Sequence, residues 1–156
     1  MHFIKSKGIL SSKNGMNLFR GCTHGCIYCD SRSSCYGMDH AYEDVAIKEN
    51  AIELLEDALS RKRKKSMIGM GSMTDPYIPE ELKLKHTKKA LEVVNKYDFG
   101  ITLITKSAHV LRDLDLFKEI NKKTKCVIQM PSPHLTRTFV ELLSQMCPQQ
   151  GKGLKP

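Results

Sequence analysis

Cys22, Cys26 and Cys29 fall within the eight residues Cys22-Thr23-His24-Gly25-Cys26-Ile27-Tyr28-Cys29, spaced C-x3-C-x2-C. Three thiols this close cannot all pair as disulfides, and thiolates are ligands for soft metals. A cubane iron–sulfur cluster takes one outside ligand per iron. Three cysteines on four irons would leave one iron open to a small molecule, so the cluster could act as a reagent and not only as an electron store. Gly21 and Gly25 permit backbone conformations that strain other residues, which suits a short loop wrapped round metal. Two other uses of the thiols stay open. Zinc needs four ligands, and Cys35 or His24 could supply the fourth, although no second C-x2-C hook exists. A purely redox cluster could take Cys35. Otherwise His24 reads as a solvated loop residue and Cys35 as an ordinary loop thiol.

The loop needs a framework, and the hydropathy pattern supplies one. Residues 1–15 are polar and read as a lead-in with little structure, and 16–20 as a short strand delivering the loop. Val45 to Lys48 reads as extended. Ala51, Leu54, Leu55, Ala58 and Leu59 recur at helical spacing and predict a helix over 49–62. Residues 66–70 form a short apolar strand, as parallel sheets favour. A helix over 80–97 follows, with Gly100 suited to cap its end. Residues 101–105 predict a third strand, 109–121 a helix and 126–130 a fourth strand, whose apolar edge would invite pairing. Strands alternating with helices define an α/β chain of right-handed βα units on a parallel sheet. Ligands gather at the carboxyl ends of such strands, where the cysteine loop sits.

Composition sets the outer limits. The 156 residues suit one domain, and 40% apolar with 27% charged residues describe a soluble globular chain. No stretch is long and apolar enough for a membrane span, and residues 1–5 lack the core of a signal peptide. Six cysteines without an export signal imply a reducing compartment, with the cytoplasm as the expected location. The net charge of +8 favours polyanion partners such as nucleic acid. Arg61-Lys62-Arg63-Lys64-Lys65 is the dense basic run, either a solvated helix end or a nucleic-acid contact.

The cysteine loop, with an aromatic before its last thiol, resembles that of the radical S-adenosylmethionine (SAM) superfamily. Its flanks, Asn17-Leu18-Phe19-Arg20-Gly21-Cys22 and Cys29-Asp30-Ser31-Arg32-Ser33, are similar to the spore photoproduct lyase-like branch. The resemblance runs from about Asn14 to Pro131. It implies a partial parallel (βα) barrel, of which residues 1–131 supply about four of six expected units. Residues 132–156 read as a divergent tail with one short helical stretch around Phe139 to Met146. A change of frame or truncation after Met130 would account for the divergence.

The resemblance also implies a [4Fe–4S] cluster on Cys22, Cys26 and Cys29, with SAM chelated to the open iron. A flavodoxin- or ferredoxin-type protein would supply one electron. SAM would then be cleaved to methionine and a 5′-deoxyadenosyl radical that abstracts hydrogen from substrate. Gly71-Ser72-Met73-Thr74-Asp75 resembles the segment that receives the SAM amino group, and Ser72, Thr74 and Asp75 can all accept from an ammonium. Lys106 and Ser107 occupy positions that touch the ribose or carboxylate in relatives, and Tyr28 that of an aromatic near adenine. The named relative repairs a thymine photoproduct in DNA. A non-catalytic iron–sulfur module is the alternative reading. Cys35, Cys126 and Cys147 acquire no role from the resemblance.

Overall fold

A computed structural model gives the fold and describes residues 1–131. The predicted tail helix and Cys147 lie outside these residues. The strands are β1 (His2–Ile4), β2 (Gly15–Met16), β3 (Phe19–Arg20), β4 (Ala46–Lys48), β5 (Met67–Met70), β6 (Gly100–Ile104) and β7 (Cys126–Gln129). The helices are α1 (Ala51–Arg61), α2 (Glu81–Leu84), α3 (His86–Lys96) and α4 (Leu114–Lys123). One sheet runs β2-β5-β6-β7, parallel throughout, with Met16 opposite Met70 and Leu103 opposite Ile128. Among the described residues no strand pairs with the outer edge of β7. A second sheet runs β1-β4-β3, parallel then antiparallel.

The helical stripes form the core. Ala51, Leu55 and Leu59 of α1 are buried, as are Leu91 and Val94 of α3 and Phe117 and Ile120 of α4. They belong to one apolar cluster with Ile68, Ile101 and Leu103 of the parallel sheet. Each such Leu, Ile, Val or Phe contributes about 1.5–3 kcal/mol by leaving water. No helix among the described residues is long and apolar enough to cross a membrane.

Several local expectations need correction. Residues 1–15 are not an unstructured lead-in. Phe3 pairs with Ile47, and Ile9 is buried. The short strand carries no local periodicity; its partner lies more than forty residues away. The first strand is also split, because Met16 pairs in one sheet and Phe19 in the other. The helix expected over 80–97 breaks at Lys85, whose φ of 53° lies in the left-handed region. Its end is turned by Asp98, with φ of 55°, and not by Gly100. Gly100 opens β6 instead, where a Cβ would stand 2.3 Å from Met67 Sδ and 2.9 Å from Lys125 O. Part of the basic run is tied into the fold: Lys62 Nζ donates to Asn14 Oδ1 at 2.6 Å and Lys65 Nζ to the Tyr97 carbonyl at 2.6 Å.

A buried charge network pins α2 to the 3-10 segment Ala108–Asp113. Arg112 donates to Glu81 Oε1 at 2.8 Å and to Asp113 Oδ2 at 2.7 Å, and Tyr77 donates to the same Asp113 oxygen at 2.8 Å. Glu81 and Asp113 are 1% and 2% exposed, so Arg112 is their counter-ion. Arg112→Ala should leave both acids uncompensated. Because the arginine itself is partly exposed, the expected loss is about 2–3 kcal/mol, below the full range for a buried pair. That corresponds to roughly 4–12 °C in melting temperature. Thermal unfolding checks this, and an unchanged midpoint would show that the network contributes nothing.

Candidate metal centre

The cysteine loop leaves β3 through Gly21, whose φ of +97° few other residues adopt. A Cβ there would stand 2.4 Å from the Tyr42 carbonyl, which accepts from Cys22 N at 2.9 Å. The loop is thereby stitched to the segment leading into β4. The β5 end has a matching device. Gly71 has φ of +96°, and a Cβ on it would meet Ile104 O at 2.0 Å, so residues 71–75 run against the end of β6.

Cys22, Cys26 and Cys29 line one mouth together with Ser72, Asp75, Lys106 and Pro131. Residues contributed by the ends of β3, β5, β6 and β7 therefore share one opening. Burial raises the Cys22 thiol above its ordinary pKa. Burial also acts on Cys29, but hydrogen bonds from Tyr42 and Ser31, with the Arg32 charge, outweigh it and lower that thiol. Tyr42 OH stands 3.5 Å from Cys29 Sγ and donates to the Met73 carbonyl at 3.0 Å. Lys106 Nζ lies 3.3 Å from Cys26 Sγ, donates to Tyr28 OH at 2.8 Å and sits 4.0 Å from the centre of that ring. Its hydrogen bond to Tyr28 raises the ammonium pKa.

Asp75 is the hub of the mouth. Oδ1 accepts from Thr105 Oγ1 at 2.6 Å and Tyr77 N at 2.8 Å, and Oδ2 from Lys106 N at 2.7 Å. His24 Nε2 approaches Oδ2 at 3.3 Å as an ion pair, and this contact raises the imidazole pKa. Burial works against the Asp75 carboxylate, yet His24, Lys106, Thr105 and Tyr77 together hold its pKa below the usual range. Thr23 adds a second tie between the cysteine loop and the β5 side, donating to Glu80 Oε2 at 3.1 Å. His24 is thus not a solvated loop residue but lines the mouth and faces Asp75 across it.

The other candidates are placed as follows. Ser72 is exposed at the mouth, and Thr74 is buried and lines a neighbouring cavity. Ser107 Oγ accepts from His109 N at 3.3 Å, capping the 3-10 segment. Tyr28 is 69% exposed. Cys35 is exposed in a 3-10 turn and does not line the mouth, and Cys126 lies in β7. Sequence reasoning missed Tyr42 and Thr105. Thr105 was legible only as the residue where an apolar strand turns polar, and Tyr42 carried no local signal.

The donor set suits an iron–sulfur cluster. Three thiols share one mouth, with the Lys106 ammonium and the Tyr42 hydroxyl beside their sulfurs. Among the described residues no three His, Cys, Asp or Glu side chains gather closely enough to hold one metal ion. A cubane spreads its thiolates over separate irons, so this spacing suits it better than a single zinc.

Residues 16–144 match the radical SAM superfamily, and the chain belongs to it. Membership implies a [4Fe–4S] cluster and SAM as cofactors. The chain is 36% identical over 117 residues to an uncharacterized protein of Methanocaldococcus jannaschii, covering 72% of this chain and 42% of that one. It is 27% identical over 115 residues to uncharacterized proteins of Mycobacterium tuberculosis and Mycobacterium bovis, covering 67% of this chain and 32% of each relative. The chain therefore spans less than half the length of these relatives. No solved structure gives a significant match.

Proposed function

We propose that this chain is a radical SAM protein of the spore photoproduct lyase-like branch, with β2, β5, β6 and β7 as four units of a partial barrel. What supports the reading is the single mouth that gathers Cys22, Cys26 and Cys29 with Asp75 and Lys106 at the carboxyl ends of parallel strands. Held by Cys22, Cys26 and Cys29, a reduced [4Fe–4S] cluster would supply the one-electron chemistry for reductive cleavage of SAM.

The protein's own share is holding and orienting. Cys22, Cys26 and Cys29 hold the cluster. Lys106 offers a point charge for the SAM carboxylate, Ser72 offers a hydroxyl for the amino group, and Tyr28 offers a ring for adenine, while Thr74 faces the neighbouring cavity. Ser107 has its hydroxyl in a cap and donates its N–H to Thr105 Oγ1 at 3.0 Å, so its contribution is to shape the turn after β6. Asp75 acts through others, fixing Lys106, Thr105 and His24 about the mouth. A flavodoxin- or ferredoxin-type protein serves as reductant. The net charge of +8 is compatible with a DNA photoproduct as substrate.

A second reading, a non-catalytic iron–sulfur module, is favoured by the β7 edge, which has no outer neighbour among the described residues. One assay separates the two. Anaerobically reconstituted protein, reduced and given SAM, should yield 5′-deoxyadenosine. A full complement of iron and sulfide with no 5′-deoxyadenosine would establish the module, and zinc without sulfide would remove both readings.

A further inference from the structure

A second cavity, of about 450 Å³, adjoins the mouth and shares Ser31, Tyr42 and Met73 with it. That volume falls within the range of small-molecule sites. Four basic residues line it, Lys5, Lys7, Arg20 and Lys48, and no Asp or Glu does. Lys5 and Lys7 are exposed, and Lys5 has a distant partner in Glu49 at 3.9 Å. The inner pair is different. The Arg20 guanidinium donates to the carbonyls of Gly37 at 2.6 Å and Tyr36 at 3.4 Å and meets no carboxylate. Lys48, at the end of β4, is partly buried, and its ammonium has no partner among the described residues. Burial lowers its pKa, and the nearby Arg20 charge lowers it further.

Withdrawing a cation from water is costly unless an anion compensates. Here two cations approach each other on a cavity wall that carries no acid. Such an arrangement is poor as scaffolding and good as a receptor. We propose that this cavity seats a phosphate group of the substrate, bound by Arg20 and Lys48, with the rest of the substrate reaching the cluster mouth past Tyr42. Two positive charges suit phosphate better than a single carboxylate, and guanidinium with ammonium is a recurrent phosphate-binding pair. Asn17, which lines the same cavity, keeps a buried amide oxygen without a hydrogen-bond partner among the described residues. A hydroxyl beside the phosphate would supply the missing donor. The substrate assignment rests on the proposed function; the anion site itself does not.

The test titrates the full chain with methyl phosphate, dimethyl phosphate and acetate by calorimetry, alongside thermal unfolding and iron analysis. At least one phosphate ester should bind, and acetate should bind much more weakly. Preference for methyl phosphate identifies a monoester substrate, and comparable binding of dimethyl phosphate a diester such as a nucleic-acid backbone; either supports the site. Lys48→Met should weaken the ester at least about tenfold. It should leave iron content unchanged. Lys48→Gln provides the same loss of charge if the Met variant does not fold. Lys118→Met, at an exposed position of α4, should not weaken ester binding. Acetate binding as tightly as the esters, no ester binding, or unweakened binding in the Lys48 variants overturns the proposal. Ester binding in a protein that takes up no iron would leave the anion site standing and remove the enzymatic reading.

Discussion

Alanine at Cys22, Cys26 or Cys29 should abolish cluster binding, each substitution alone reducing reconstituted iron from about four per chain to near zero. The effect is all or nothing because a cluster held by two thiolates in an open mouth is exposed to solvent and easily lost. Cys35→Ala is the internal control. Its thiol is exposed and outside the mouth, so iron and sulfide should match the parent protein. Iron and sulfide analysis after anaerobic reconstitution gives the answer. Full iron in any of the three Ala variants would remove that residue from the ligand set, and loss of iron in Cys35→Ala would restore the fully ligated redox cluster.

Asp75→Ala should be the most destabilising single change at the mouth. Sequence alone makes Asp75 an acceptor for the SAM ammonium, and the variant would then lose SAM affinity while keeping its fold and iron. In the structure its oxygens already accept from Tyr77 N, Thr105 Oγ1 and Lys106 N and face His24. Removing them strands buried donors and frees the cysteine loop from the ends of β5 and β6. The expected cost is about 3–5 kcal/mol, or roughly 6–20 °C in melting temperature. The cluster should also be retained less well. Asp75→Asn keeps one acceptor oxygen and should recover part of the loss. The measurement is thermal unfolding of the protein before cluster loading, where SAM plays no part. A melting temperature equal to that of the parent protein would return Asp75 to a purely ligand-binding role.

Legibility in the sequence followed the range of the interactions. The three thiols announce themselves because a metal loop is a local object, and the α1 stripe because a helix repeats every few residues. Gly71 to Asp75 could be assigned to a strand end for the same reason. What Asp75 does there could not, since its partners lie 30 residues ahead at Thr105 and some 50 behind at His24. Tyr42, in a polar loop, reaches Cys29 and Met73 only after the β4 segment has docked. The pairing of β1 with β4 and the division between Met16 and Phe19 are likewise decided by the partner strand. Lys85 and Asp98 show the limit from another side. Both take left-handed conformations that glycine adopts more readily, so a reading that looks for glycine at helix breaks passes over them.

The contact between Lys106 Nζ and Cys26 Sγ joins residues 80 positions apart. A ribosome adds about 5–20 residues per second, so Cys26 emerges roughly 4–16 s before the lysine that will stand against it. Asp75 and its hold on His24 also arrive after the thiols. During that interval the cysteines are free nucleophiles on an unfinished chain, open to oxidation and to stray metal. The Lys106 and Asp75 contacts around the thiols therefore form only once β6 is laid beside β5, and until then the thiols depend on a reducing environment.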